Sequence, residues 1–103
     1  GQANLAGMRR QIAQTFGAAG QKAVVVRITT DRSGPKKRST AVLHVRRAAG
    51  WTVASWLVAY AQAYHLSQVR YAGFSWNAAN GSMGWQRESK PTSPSGKTGI
   101  VAG

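Results

Sequence analysis

Four side chains hold most of the acid, base and metal-ligand chemistry available to this sequence. They are the acids Asp31 and Glu88 and the histidines His44 and His65; there is no cysteine. A Ser–His–Asp set can be written down on paper, but no Gly-x-Ser-x-Gly elbow accompanies it. Paired-carboxylate chemistry would require Asp31 and Glu88 to meet, and each lies in a turn or loop segment. Zinc takes three or four His, Cys or carboxylate ligands at clustered spacing, and no such cluster occurs. Gly96-Lys97-Thr98-Gly99 is similar to the end of a phosphate loop, but the preceding glycine frame and the following helix are missing. We therefore expect no catalytic residue, no bound metal and no cofactor.

The remaining chemistry is cationic and aromatic. Fourteen Lys and Arg face two acids, a formal charge of +12 with a pI near 11.7. A surface with that balance repels itself unless it meets a polyanion. Lys36, Lys37 and Arg38 fall on one loop, Arg46 and Arg47 close the strand that follows it, Arg70 adjoins Tyr71, and Arg87 lies close to Trp85 and Trp76. Cations interleaved with aromatic rings hold phosphates and stack on bases or sugars. The expected polyanion contacts are thus Lys36, Lys37, Arg38, Arg46, Arg47, Arg70 and Arg87, with Tyr71, Trp76 and Trp85 as an aromatic platform. The structural alternative is that Trp76 and Trp85 cover the second face of a sheet.

The elements that must position these residues centre on residues 50–66, the most apolar stretch with one clear period. Val53, Trp56, Leu57, Tyr60, Ala61 and Tyr64 recur at helical spacing, which predicts one helix with that face buried. Thr52, Ser55, Ala59, Gln62 and Ala63 take the opposite, uncharged face. Gly50 or Thr52 is the expected N-cap, and the segment is too short and interrupted to span a bilayer. Upstream, Leu5, Met8, Ile12 and Phe16 predict an amphipathic helix over 3–16 without a strong cap, stopped at Gly17.

Residues 22–30 are β-branched and predict a strand, with Val24, Val26 and Ile28 on one face and Val25, Arg27 and Thr29 on the other. The Asp31-to-Pro35 run is a turn signal. A second strand follows over 39–47, with Leu43 inward and His44 and Arg46 outward. Residues 68–72 and 74–76 predict a hairpin or a strand kinked at Gly73. Asn77 to Gly84 reads as a loop, and Trp85 with Arg87 as a further short strand.

This order predicts an α+β fold: a single antiparallel sheet of about four strands with two helices packed on it. Residues 1–87 form one expected globular domain. Residues 88–103, rich in Pro, Ser, Gly and Lys, form a tail or loop in which Ile100 and Val101 either pair as a last strand or fray.

Gly50-Trp51, Trp56-Leu57-Val58-Ala59, Val69-Arg70-Tyr71, Trp76 and Gly84-Trp85 together resemble a domain of actinobacterial secreted and cell-envelope proteins. That domain is similar to a zinc-less relative of the D-alanyl-D-alanine carboxypeptidase and hedgehog-type peptidase fold. The resemblance covers about Ser33 to Gln86. The peptidases' His and Asp ligands fall at Lys36 and near Leu43, and their terminal His pair within Thr98 to Val101, so no zinc ligand carries over. What the resemblance implies is a non-catalytic domain at the cell envelope or outside the cell, any upstream signal or anchor having been removed; Gly1 in place of Met agrees with processing. Its partner would be an anionic wall polymer or an acidic protein. The alternative is a cytoplasmic, sequence-tolerant nucleic-acid-binding module: a central helix without charge makes a poor recognition helix.

Overall fold

The computed structural model of the chain describes residues 3–17, 23–88 and 99–103. The loops expected at 18–21 and 89–98, most of the Gly96–Gly99 motif and the side chains of Val24 and Val26 lie outside the described residues. Helix α1 (Leu5–Phe16) buries Leu5, Met8 and Ile12, one stripe at helical spacing. A cap is present after all: the Asn4 Oδ1 accepts the Gly7 N–H at 3.0 Å, satisfying one of the four orphan donors of the first turn. At the other end the Gly17 N–H donates to the Ala13 carbonyl.

Strands β1 (Ala23–Asp31) and β2 (Arg38–Val45) pair antiparallel, with a register shift between Val25 and Arg27. The extra residue of this bulge changes which side chains point inward. Ala23 and Val25 are buried and Ile28 packs on the core, so the alternation expected for this strand fails at its centre. Along β2 the register has no such shift: Ala41, Leu43 and Val45 are buried and His44 is exposed, as the period of two requires, but Val42 on the opposite face is buried as well.

The stretch expected to be one helix is two. Helix α2 (Gly50–Ala59) ends at Tyr60, whose φ of −102° and ψ of 9° leave the helical well, and α3 (Ala61–Tyr64) follows. His65 then adopts the left-handed conformation with φ of 58°, and its N–H and that of Leu66 satisfy the α3 carbonyls. Val53, Ala54, Leu57 and Ala61 are the buried face. Tyr60, expected inside, is 47% exposed, and Trp56 and Tyr64 are half-buried. Nor do Gly50 and Thr52 cap α2. A 3-10 turn over Arg47–Ala49 runs straight into the helix, its carbonyls and those before it taking the first N–H groups.

Strands β3 (Gln68–Tyr71) and β4 (Phe74–Asn77) form a hairpin. Its two turn residues both have positive φ, Ala72 at 53° and Gly73 at 81°, the primed turn whose twist suits a tight hairpin. The segment 78–83 is 3-10 rather than open loop, and β5 (Gln86–Arg87) extends the edge.

The final strand, β6 (Gly99–Ala102), lies inside the sheet: the order is β1-β2-β6-β3-β4-β5. Of the two fates open to Ile100 and Val101, pairing is the one observed. The fold is α+β with one antiparallel sheet, and it has six strands rather than about four because β5 and β6 both join. Helix α1 packs on β1 and β2, and α2 on β3 and β6. The core lies between these helices and a single sheet face, where Leu43, Val69, Ile100 and Ala102 are fully buried with Met8, Val53 and Leu57.

Candidate polyanion-binding surface

Because residues alternate across a strand, burial of Leu43, Ile100 and Val69 on one face assigns their neighbours to the other. Register then aligns Arg27, Val42, Val101, Arg70, Ser75 and Gln86 in one row across all six strands. Arg38, Thr40 and His44 share this face from β2, Gln68 from β3 and Asn77 from β4. Among the described residues, no helix packs on it. Antiparallel sheets tolerate one solvated face, and here that face carries Arg27, Arg38 and Arg70 around an apolar pair, Val42 and Val101.

At one end of the face lies an open groove of about 980 Å³. Lys36 and Lys37 line it from the β1–β2 turn, Arg38 from the start of β2, Arg70 and Gln68 from β3, Asn77 from β4, and His65 from the end of α3. No Asp or Glu is among its lining residues. Its cations are donors only and its hydroxyls and amides can donate as well as accept, so the groove favours an anion.

The turn that carries Lys36 and Lys37 is organised by Asp31. Its Oδ1 accepts the Ser33 N–H at 2.9 Å and the Ser33 hydroxyl at 2.6 Å, a local loop closure of the kind Asp makes in turns. These bonds, the hydroxyl's first, hold the Asp31 carboxyl below the usual carboxylate range, and Arg38 adds to the shift. Arg70 is held differently. Its Nε and Nη2 donate to the Glu88 carboxylate at 3.0 and 2.9 Å, a bidentate pair. The hydrogen bonds to Glu88 raise the Arg70 pKa further, against the opposing effect of burial.

The seven expected contact residues do not form one patch. Lys36, Lys37, Arg38 and Arg70 share the groove. Arg46 and Arg47 follow the far end of β2, and Arg87 stands over the Phe74 ring with its guanidinium carbon 5.2 Å from the centroid. Pairing of Arg87 with Phe74, and of Tyr71 with Ile100, places that second group at the opposite end of the sheet.

The expected platform of Tyr71, Trp76 and Trp85 is not formed as a unit. Tyr71 is buried, 4% exposed. Trp76 pairs with Val69 and so shares the core face, and both Trp76 and Trp85 pack against the core. Neither tryptophan covers the second face, which also corrects the structural alternative considered above. The exposed tryptophan absent from the expected platform is Trp51. It touches three rings edge-to-face, Tyr71 at 5.0 Å, Trp85 at 5.3 Å and Phe74 at 5.7 Å, and is still 44% exposed. Its position in the Gly50-Trp51 pair at the start of an uncharged helix was the only available signal, and it is a weak one.

Set against protein families, curated proteins and solved structures, the chain matches none.

What remains is the geometry. Among the described residues, no three His, Cys, Asp or Glu side chains approach closely enough to hold a metal ion, and no helix is long and apolar enough to cross a membrane. Asp31 is engaged with Ser33, and Glu88 with Arg70. Long-range attraction of an anion, followed by direct hydrogen bonding in the groove, is the chemistry these side chains support best.

Proposed function

We propose that this chain is a non-catalytic, strongly basic binding domain that holds an anionic polymer on the uncovered face of its sheet. One observation carries the reading: three consecutive cations, Lys36 and Lys37 on the β1–β2 turn and Arg38 at the start of β2, share a groove with Arg70, and no Asp or Glu is in its lining. A cradle of that kind suits a chain of repeating negative groups better than a single small molecule, because it is open and draws its cations from two different parts of the fold, the β1–β2 end and β3. The resemblance to actinobacterial envelope domains supplies the setting. In it the polymer is an anionic cell-wall component, and an acidic protein partner is the variant of the same reading.

The test is retention on purified cell wall at low salt, repeated with a Lys36→Ala, Lys37→Ala, Arg38→Ala triple variant. Retention that falls with salt and is strongly reduced in the triple variant is expected. Absence of retention at ~50 mM salt, or equal retention of the variant, overturns the proposal; each lost phosphate contact should flatten the log–log salt slope by roughly 0.9 on duplex DNA.

A second reading is favoured by a separate observation. Exposed Trp51, beside the cation–π pair of Arg87 and Phe74, supports sequence-tolerant binding of nucleic acid.

A further inference from the structure

Trp51 is the least explained large side chain of the molecule. Three edge-to-face ring contacts hold its indole across neighbouring strands, Tyr71 from β3, Phe74 from β4, and Trp85 just before β5. A core tryptophan with that many ring neighbours would be enclosed, yet Trp51 leaves 44% of its surface to solvent. The ring is therefore fixed in place before any ligand arrives, so binding would cost little side-chain entropy.

Cations lie close by. Arg47 precedes Trp51 by four residues, at the start of the 3-10 turn that runs into α2. It is exposed. Arg87 is anchored over Phe74, one of the rings that Trp51 touches. The immediate helix neighbours Thr52 and Ser55 are exposed and uncharged, so the acidic repulsion that would exclude an anion is absent from them.

A flat exposed ring with cations close by fits a ligand in which a ring and an anion alternate unit by unit. We propose that Trp51, Arg47 and Arg87 form a stacking site for one unpaired nucleotide of a single-stranded nucleic acid, with the base on Trp51 and the flanking phosphates on the two arginines. This rests on the second reading above and deepens it. The site lies at the opposite end of the sheet from the Lys36–Arg38 groove, so a strand long enough to reach both would be held at two points.

The test compares two fluorescently labelled oligomers of ten units, oligo-dT and an abasic strand with the same phosphates, on the whole chain at ~50 mM salt. Base stacking on one aromatic residue should make oligo-dT bind about tenfold tighter than the abasic strand. Trp51→Ala should remove that difference while leaving the abasic strand's affinity unchanged. Because Trp51 supports three rings, Trp51→Phe is measured in parallel. It should keep the fold, retain part of the preference, and lose the quenching of tryptophan emission that oligo-dT causes in the parent chain. Equal affinity for the two oligomers overturns the stacking site but leaves polyanion binding standing. Failure of both oligomers to bind overturns the nucleic-acid reading as well. If a sulfated glycan such as heparin depends on Trp51 as strongly as oligo-dT does, the ring holds sugars and the proposal for bases fails.

Discussion

Arg70 and Glu88 are joined by two parallel hydrogen bonds, at 3.0 and 2.9 Å, across the uncovered side of the sheet. The pair ties β3 to the residue that follows β5, where the Glu88 N–H also donates to the Gly73 carbonyl at 2.8 Å. One of two acids in the whole chain is thus spent on the central cation of the candidate surface. It orients the Arg70 fork and at the same time subtracts charge from the groove.

Glu88→Gln should therefore separate the two effects. With the carboxylate opposite Arg70 gone, binding to a phosphate polymer should strengthen about two- to threefold at low salt, and the log–log salt slope should steepen by up to roughly 0.9. Stability should fall by about 1 kcal/mol, the scale for a partly exposed pair with good bidentate geometry. Salt-titrated binding and urea denaturation read the two quantities independently. An unchanged slope would mean that Arg70 does not face the polymer.

The Asp31 turn predicts an acid-sensitive hairpin end. Its carboxyl titrates below the usual range because the ionised form is hydrogen-bonded to Ser33. A carboxylate depressed in the folded state contributes stability that is fully present above its unfolded pKa and is lost as pH falls through the lower folded value. The window is thus below about pH 4. In an NMR titration the Ser33 amide should shift with a midpoint below that of a free aspartate. Asp31→Asn should abolish the shift and loosen the placement of Lys36 and Lys37.

Gly50 is required by packing rather than by its φ. A Cβ built there would lie 1.8 Å from the Tyr71 hydroxyl oxygen and 2.3 Å from its Cζ. Gly50→Ala should destabilise the fold by about 1–3 kcal/mol, the usual cost of forcing extra volume into a packed contact. Adding Tyr71→Phe should recover only part of this, since the ring carbon is nearly as close. Urea midpoints for the two variants decide the matter; a neutral Gly50→Ala would show that the helix shifts freely over Tyr71.

The position of β6 makes the end of the chain structural. Ile100 is fully buried between β2 and β3, whereas Val101, one residue on, faces the open side and is half-buried. Ile100→Ala should cost about 2–5 kcal/mol, and Val101→Ala substantially less. Equal losses, read from equilibrium unfolding, would contradict the register of β6 against Leu43 and Tyr71.

Residue types and periods on their own determined the cationic character, the antiparallel α+β class, the inward face of β2 and the Leu5–Met8–Ile12 stripe of α1. Each is a local property: two or more turns of one period, or a simple sum of charges, survive whatever the rest of the chain does. Tertiary structure alone decided the bulge beyond Val25, the break at Tyr60, the seat of β6 between β2 and β3, and the exposure of Trp51. A bulge is set by the register of a partner strand, and a helix break by the shape of the sheet beneath it. The place of β6 depends on edges offered by strands far away in sequence. Whether an aromatic ring is covered or open depends on which neighbours reach it. In Trp51 those neighbours come from residues 71, 74 and 85, too distant along the chain for any local pattern to announce them.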